Sequence, residues 1–434
     1  MPKLGALGLV SLVVVAVPVA LLGVCSAVAA EEQPPAKPAS IEAYERLVAG
    51  QEWRSIQWPE DSAFKPFPDD AKDIIAGYDR LFTRMERAFG APGMHDVENV
   101  LGKGPNEWND AERSKVAQFL AANRDLISEI KLMANRGGPV YPLNFSKGFE
   151  MEFPHLVKMR SCARVLHASA VINGMNGDCN EAVDDIIAGM KLGAAVAQEP
   201  ILISQLVRIA IYGIMSFAAQ NSFDGGDLSP ELTRRLFAHV EQADHREEFA
   251  ESFSGEIYLS SKAFSAIRAG APLPEGSNLG PPQEADERAY VEMMERVISA
   301  ARLPYHEAVR DLDRIQTHIQ NLPEPLAYSR ALLPALIRSC IAQARHEALI
   351  DLVQIGILVE QYRTREGYYP DTLDDIASGF GGSVPVDPFS GEKYRYRPLG
   401  SVFVLYSISE NRLDDGGTHE LRKGDIVWRG EQKK

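Results

Sequence analysis

The sequence predicts a mainly α-helical protein, a helical bundle or a short array of helical hairpins, that ends in a small C-terminal α+β module. Helical periodicity runs through residues 40–322 with almost no strand signal. One long helix follows and ends at Gly367, and the segments after it alternate as strands do. Of the 434 residues, 45% are hydrophobic and 24% are charged, which is ordinary for a globular protein.

The charge of the chain excludes one broad class of protein. Lys and Arg together number 45 and Asp and Glu 60, which gives a formal net charge of −15 and a pI near 5.2. Affinity for nucleic acids rests on the neutralisation of phosphates by basic side chains. We therefore expect no nucleic-acid partner.

The first 30 residues indicate the compartment. Residues 4–25 carry no charge and are mostly apolar, and small residues lead from them to Glu31. This is typical of a secretory signal peptide, so we expect an extracytoplasmic protein, periplasmic or secreted. The alternative is an uncleaved anchor in the inner membrane, because about 20 apolar residues can span a bilayer. The Pro-rich residues 31–39 then form a linker.

Three cysteines follow this leader, namely Cys162, Cys179 and Cys340. Outside the cytoplasm, thiols can oxidise to disulfides. Cys162 and Cys179 flank a predicted helix–turn–helix and are therefore the candidate disulfide pair. The alternative is that all three are small, buried apolar residues.

The helical domain, residues 40–322, divides into amphipathic segments. The predicted helices cover residues 41–48, 70–89, 110–135, 149–173, 180–197, 201–219, 230–244, 247–269, 285–301 and 305–320. Residues 201–219 are apolar nearly all round, which predicts a central buried helix; Gln205 and Arg208 inside it argue against a membrane span. The hairpin around Gly177 resembles one tetratricopeptide-type unit, with no second copy at a fixed period.

Arg208 is the residue of the helical domain that most needs a partner. A guanidinium on an otherwise apolar helix must be paired if it is buried. One interpretation is a salt bridge to a neighbouring helix through Asp184 or Asp185. The other is an anion-binding pocket between helices.

The C-terminal module is expected over residues 323–434. Past Pro334, apolar residues step by three or four positions through Ile341, Ala344, Ala348, Leu352, Ile355, Val359 and Tyr362. This spacing predicts one long helix with a single apolar seam, ended by Gly367. A short acidic helix over residues 372–377 follows. The segments that alternate as strands cover residues 393–397, 402–407 and 425–428.

Several short motifs follow the long helix in a fixed order. They are Glu366-Gly367-Tyr368-Tyr369-Pro370, Val384-Pro385-Val386-Asp387-Pro388-Phe389, Tyr394-Arg395-Tyr396, Leu405-Tyr406-Ser407 and Asp425-Ile426-Val427-Trp428. In this order they resemble the globular domain of the major pseudopilin of type II secretion systems, over residues 340–430. The resemblance implies a short antiparallel sheet packed on the long helix.

The resemblance also implies a calcium site in the last loop of the module. By position, Asn411 and Asp425 fall on acidic positions of the family, and Asp414 and Asp415 lie between them. Calcium takes about six to eight oxygen ligands from carboxylates and carbonyls. A solvated acidic turn is the alternative for this loop.

Catalytic motifs are incomplete in this sequence. His306-Glu307 and His346-Glu347 begin like a zinc-protease helix, but neither has a second His four residues after the first. We therefore expect an exported, non-enzymatic interaction protein with protein partners in the cell envelope. The pseudopilin-like module suggests a link to a type II secretion or pilus-like system.

Two other functions stay open. One is a secreted hydrolase, which needs a cleft that joins two or more of His155, His167, Glu181 and Asp185. The other is a small-molecule-binding protein that uses the helical core around Arg208.

Overall fold

The computed structural model describes residues 71–430, apart from residues 95, 105–106, 139–140, 142, 144, 223–227, 274–278 and 418–423. The predicted leader, the linker and the helix over residues 41–48 lie outside the described residues. The described chain is mainly helical and carries a small antiparallel sheet near its C-terminus, which confirms the predicted fold class.

Twelve helices lie in the described residues. They are α1 (Ala71–Phe89), α2 (Val97–Leu101), α3 (Asp110–Ala122), α4 (Arg124–Arg136), α5 (Pro154–Met175), α6 (Cys179–Val196), α7 (Leu202–Ser222), α8 (Pro230–Val240), α9 (Arg246–Arg268), α10 (Glu284–Ala301), α11 (Tyr305–Gln320) and α12 (Ala327–Glu366). Short 3₁₀ helices cover Phe145–Glu150, Glu241–Ala243 and Leu373–Phe380. The strands are β1 (Arg395–Pro398), β2 (Phe403–Ser407) and β3 (Ile426–Gly430).

The helix predicted over residues 110–135 is divided at Asn123 into α3 and α4. The Asn123 side-chain amide donates to the Phe119 carbonyl oxygen at 2.8 Å, and the Asn123 backbone leaves the helical region at φ −124°, ψ 33°. A side-chain amide that bonds the backbone competes with the helical hydrogen bonds. At its other end, α3 opens with a capping box between Asn109 and Glu112.

The hairpin α5–α6 and helix α7 form the centre of a first core. Among the described residues, α7 is the one helix long and apolar enough to cross a membrane, and 83% of its apolar window is buried inside the protein. The burial confirms the predicted central helix. In the hairpin, the Asp178 carboxylate accepts the Glu181 amide at 3.3 Å and thereby caps α6.

A second core lies between α9, α10, α11 and the first turns of α12. The buried Asp286 carboxylate of α10 accepts the backbone amides of Tyr328 at 2.8 Å and Ser329 at 2.9 Å. These amides open α12 and have no partner within the helix, so the carboxylate satisfies them and joins the two helices.

Helix α12 is shared by all three apolar cores of the described chain. Leu333, Leu336, Ile337 and Cys340 join the second core, Ile350, Val353 and Ile357 join the first, and Ala344, Ala348, Leu352, Ile355 and Val359 join the core of the module. The predicted seam is therefore the face beneath the module. The helix starts at Ala327, earlier than predicted, so that Pro334 lies inside it. Its end at Gly367, where φ is 84°, confirms the predicted stop.

The sheet of the module has the order β1-β2-β3 and is antiparallel throughout. The fully buried Phe403 and Leu405 of β2 pack toward α12, and the Phe403 ring lies 5.0 Å from the Tyr369 ring. Trp428 of β3 packs over Gly356 of α12, where an ideal Cβ would lie 2.5 Å from the indole. The close approach of sheet and helix therefore depends on a glycine.

Cys162 and Cys179 do not form the disulfide that their spacing allowed. All three cysteines of the described chain are free thiols. Cys162 lies mid-helix in α5, 3.6 Å from the Met85 sulfur, and α5 continues to Met175. At 1.5 Å per residue this leaves Cys162 roughly 20 Å from the turn in which Cys179 opens α6, too far for a bridge.

Candidate functional site

A cleft of about 260 Å³ opens where the helical body meets the C-terminal module, and we call it the junction cleft. Its polar side chains are Asp244, Arg246, His306, His346, Glu347 and Asp351. Its apolar wall includes Pro304, Ile350, Pro385, Val386 and Pro388. Helix α12 supplies three of the polar groups, so the helix that joins the cores also builds the cleft.

Glu347 is clamped by two neighbours. Arg246 donates from Nε to Oε1 and from Nη2 to Oε2 of Glu347, each at 3.0 Å. Gln343 adds a third bond to Oε1 at 3.1 Å. A bidentate guanidinium–carboxylate pair is among the stronger hydrogen-bonded pairs in proteins. The hydrogen bonds of the Arg246 guanidinium are therefore directed to Glu347, while Asp244 and Asp351 act on its charge only from a distance.

Asp351 lies one helical turn beyond Glu347 and has a different environment. Its Oδ2 accepts a hydrogen bond from the Tyr394 hydroxyl at 2.7 Å. Burial raises the pKa of Asp351 to about 8, and the Glu347 and Asp244 carboxylates add to the rise. The carboxyl group of Asp351 is therefore protonated at neutral pH. Because its pKa lies near 8, it can either keep this proton or release it.

The remaining polar groups complete the cleft. Asp244 accepts the Arg246 amide at 3.1 Å, just before α9 begins. The His306 ring has a buried Nδ1 with no hydrogen-bond partner, and its Nε2 lies 3.7 Å from Glu307. The cleft can therefore neutralise a cation through its carboxyl groups, or exchange a proton through Asp351.

Arg208 lies behind the cleft wall and is fully buried. It donates from Nε to Gln205 at 2.8 Å and from Nη2 to Gln343 at 2.6 Å. Its Nη1 lies 3.1 Å from His346 Nε2. Burial lowers the pKa of His346 well below its ordinary value, so this imidazole is neutral; its Nε2 also lies 3.0 Å from the Ala243 carbonyl oxygen. Gln343 links this buried group to the clamped Glu347.

The predicted salt bridge from Arg208 to Asp184 or Asp185 is wrong. Asp184 pairs with Arg235, and Asp185 Oδ1 lies 2.7 Å from Lys131 Nζ. The two side chains face different helices. Helix α7 presents Arg208 to α12, whereas Asp185 of α6 bonds a lysine of α4. Neutral amides and an imidazole occupy the guanidinium, so within the described structure Arg208 forms no anion pocket.

Of the four residues proposed for a hydrolytic site, Glu181 and Asp185 meet at one lysine, whereas the two histidines have other surroundings. His155 Nε2 lies 2.8 Å from Glu199, which also accepts the Ser204 hydroxyl at 2.5 Å. Glu181 and Asp185 share the Lys131 ammonium, at 2.7 Å each. His167 is buried, with a partnerless Nε2. None of the four lines the junction cleft.

The side chains of the predicted calcium loop bond to protein donors. Asp425 accepts the amides of Gly417 at 2.7 Å and Asp415 at 3.4 Å. Asp414 accepts the Tyr406 hydroxyl at 2.8 Å, and Asn411 donates to Asp415 at 2.7 Å. As placed, these side chains form hydrogen bonds within the loop and to β2. The described residues contain no group of three acidic, His or Cys side chains suited to a metal, and calcium stays a prediction.

No protein-family model, curated protein or solved structure matches this chain. The pseudopilin resemblance therefore stays a prediction that rests on the motifs of residues 340–430. A function for this protein is therefore inferred from the geometry of the junction cleft.

The sequence did not predict the junction cleft as a site. Its groups come from three places in the chain, with Asp244 and Arg246 more than 100 residues before Glu347 and Asp351. One signal was present, because Glu347 and Asp351 are spaced by four on the long predicted helix, which puts both on one face. Nothing in the sequence placed Arg246 or Tyr394 opposite them.

Proposed function

We propose that the protein is an exported binding protein whose junction cleft receives a primary ammonium group on a short aliphatic chain. The observation that carries this is the charge balance of the cleft. Asp244, Glu347 and Asp351 contribute three carboxyl groups, and Arg246 is the one arginine among the lining residues. Because the Arg246 guanidinium is bonded to Glu347, the other carboxyl groups of the cleft can bind a further cation.

Asp351 is the group that such a cation would satisfy. Its bonded partner, Tyr394, is a neutral hydroxyl, and the carboxylates around it disfavour its charge. An opposite charge within about 4–6 Å favours the ionised form of a carboxyl group. An ammonium beside Asp351 would therefore release the proton and gain a charge-assisted bond.

The apolar wall fits the rest of the ligand. Ile350 and Val386 face the cleft together with three prolines. These surfaces can cover methylene groups, which gain from leaving water. A volume of about 260 Å³ suits a side chain of lysine size.

A partner in the cell envelope is the setting that the sequence supports. The apolar leader indicates export, and the pseudopilin-like module suggests a type II secretion or pilus-like system. The ammonium group belongs either to a lysine side chain of a protein partner or to a free small amine. Both sources share the chemistry that the cleft recognises.

Titration calorimetry with N-acetyl-lysine methylamide at pH 6.5 and pH 8.5 tests the proposal. Below its pKa, Asp351 must lose a proton on binding, so we expect affinity to rise by up to about tenfold per pH unit and level off above pH 8. Asp351→Asn should weaken binding at pH 8.5 about tenfold and remove the pH dependence. Asp371→Asn, at an exposed carboxylate outside the cleft, is the matched control. No binding at either pH would overturn the proposal.

The source of the ammonium group is decided by comparing ligands. n-Butylamine and a lysine-containing peptide are titrated against the same protein. Equal affinities indicate a small-molecule ligand, whereas a peptide that binds at least about tenfold tighter indicates a protein partner. Enrichment of one protein from native membranes by the wild type, and not by Asp351→Asn, would support the second source.

One observation favours a second function, an acid–base hydrolase at the same cleft. A protonated Asp351 beside a clamped Glu347 separates two carboxyl groups into an acid and a base, as general acid–base catalysis requires. Activity on chromogenic glycosides or esters should then fall above pH 8 and disappear in Asp351→Asn. Activity that survives in Asp351→Asn would exclude this function.

A further inference from the structure

A second cluster of unsatisfied groups lies on helix α5, on a different part of the helical body. Arg160, Arg164 and His167 are spaced by four and three residues, so they share one face of the helix. Arg160 and Arg164 are half-buried, and His167 is 3% exposed. Three basic side chains therefore lie together where water reaches them only in part.

Among the described residues, no hydrogen bond or ion pair to the side chains of this cluster is found. Arg164 Nε and His167 Nε2 are buried atoms without a partner, and no carboxylate bonds either arginine. A buried N–H that makes no bond destabilises the folded state, because it has lost its hydrogen bonds to water. Proteins leave few such groups, and each one calls for an explanation.

One carboxylate lies near the cluster. Glu98 of α2 favours the charge of Arg164 from a distance, and its Oε1 accepts the Ser161 hydroxyl at 3.3 Å. The chain just after α2 also closes on the cluster, since an ideal Cβ at Gly102 would lie 3.8 Å from Arg164 Cζ. Burial lowers the pKa of both arginines, and the charge of Arg160 lowers that of Arg164 further. The cluster thus holds two positive charges that one distant carboxylate, Glu98, compensates only in part.

We propose that Arg160, Arg164 and His167 bind an oxyanion, a phosphate or sulfate group. Guanidinium forks match the oxygen geometry of these anions, and a tetrahedral oxyanion has enough acceptors for two arginines and one imidazole. Its charge would offset the repulsion between Arg160 and Arg164. Neutral His167 would donate from Nε2, which completes the set of partnerless donors.

Thermal melting tests the site, with sodium chloride replaced by sodium phosphate at constant ionic strength. We expect the melting temperature of the wild type to rise with the logarithm of the phosphate concentration once that concentration exceeds the dissociation constant, because the ligand binds the folded state alone. Arg160→Gln and Arg164→Gln should each weaken the apparent affinity about tenfold or more. Arg124→Gln, at an exposed arginine of α4, should bind as the wild type does. No shift in the wild type, or the same shift in all four proteins, would overturn the proposal.

Stability without phosphate separates binding from a structural role. If Arg164 has no partner, Arg164→Gln relieves repulsion and should be at least as stable as the wild type in chloride alone. A marked loss of stability there would mean that Arg164 holds the fold, which contradicts the proposal.

The source of the anion is resolved by ligand choice. Sulfate and glycerol 3-phosphate are compared with inorganic phosphate. Equal shifts of the melting temperature at equal concentrations of all three support a site for the free anion, and a larger shift with the monoester supports a phosphorylated ligand. Shifts that follow ionic strength and not the anion would overturn the site.

Discussion

At the level of single residues, charge placement sets the properties of the junction cleft. Glu347 and Asp351 are the same kind of group, one turn apart on α12. Glu347 receives three charge-assisted or amide bonds, while Asp351 receives one hydroxyl bond and faces other carboxylates. A difference in neighbours therefore leaves Glu347 held by three hydrogen bonds and raises the pKa of Asp351 on the same helix face.

The raised pKa of Asp351 predicts how stability depends on pH. The folded protein holds this proton up to about pH 8, whereas the unfolded chain loses it near its ordinary value of 3.8. The free energy of unfolding therefore falls between these two values as the pH rises. Asp351→Asn carries no charge and its amide oxygen can still accept from Tyr394. We expect it to melt at least about 2 °C above the wild type at pH 8 and equally at pH 3.5.

Scanning calorimetry at pH 3.5, 6 and 8 measures this difference. Asp371→Asn serves as the control, because that carboxylate is exposed. A gain in Asp351→Asn that is the same at every pH would show that proton binding at Asp351 is not its cause.

The partners of Arg208 show where sequence reasoning stops at this scale. The need for a partner followed from one guanidinium on an apolar helix. The identity of that partner did not, because Gln343 and His346 lie 135 and 138 residues away in the sequence. Side chains so distant become neighbours only through the packing of α7 on α12.

At the level of elements, local signals predicted the helices better than their exact ends. Gly367 ended the long helix as predicted, because a residue at φ 84° favours glycine. Asn123 divided a predicted helix through one side-chain bond to the backbone, which periodicity does not show. The predicted seam of α12 was correct, but its second apolar face, with Ile350 and Val353, was not recognised. That face is buried against the helical body, whose position the sequence does not show.

The contact between Gly356 and Trp428 predicts how closely the sheet must approach α12. Gly356→Ala would place a methyl group 2.5 Å from a rigid indole, so β3 or the ring must shift. We expect a loss of about 1–3 kcal/mol in the free energy of unfolding, as for other overpacked cores.

Urea unfolding measures the change. Gly213→Ala on α7 is the matched control, because an added Cβ there meets no atom within 4 Å. That variant should keep or gain stability, by up to about 1 kcal/mol, since alanine favours helix over glycine. Equal effects of the two substitutions would contradict the close packing of Trp428.

At the level of the whole molecule, the helical body and the module are joined by a shared helix, α12, and not by a linker alone. The boundary predicted from sequence composition lies between residues 322 and 323, just before α12 begins. Since α12 packs in all three cores, the apolar faces that it contributes cannot be buried by the module alone.

The shared helix predicts that the described chain unfolds as one unit. Calorimetry of the full chain should show one transition, in which the helical signal and the Trp428 environment change together. A fragment of residues 323–434 should unfold or aggregate, because the buried faces around Leu336 and Val353 would meet water. Two separate transitions in the full chain would show that the module folds independently of the body.

The forty-residue span of α12 also constrains how the gene can vary in length. Each residue turns a helix by about 100°, so a single-codon insertion near Ala344 would rotate every later side chain by that angle. Leu336 would still face its own core, while Glu347 and Asp351 would swing out of the cleft and Gly356 away from Trp428. A loop absorbs such an insertion, but this helix cannot. Natural variation in length should therefore avoid α12 and fall in the connections around it.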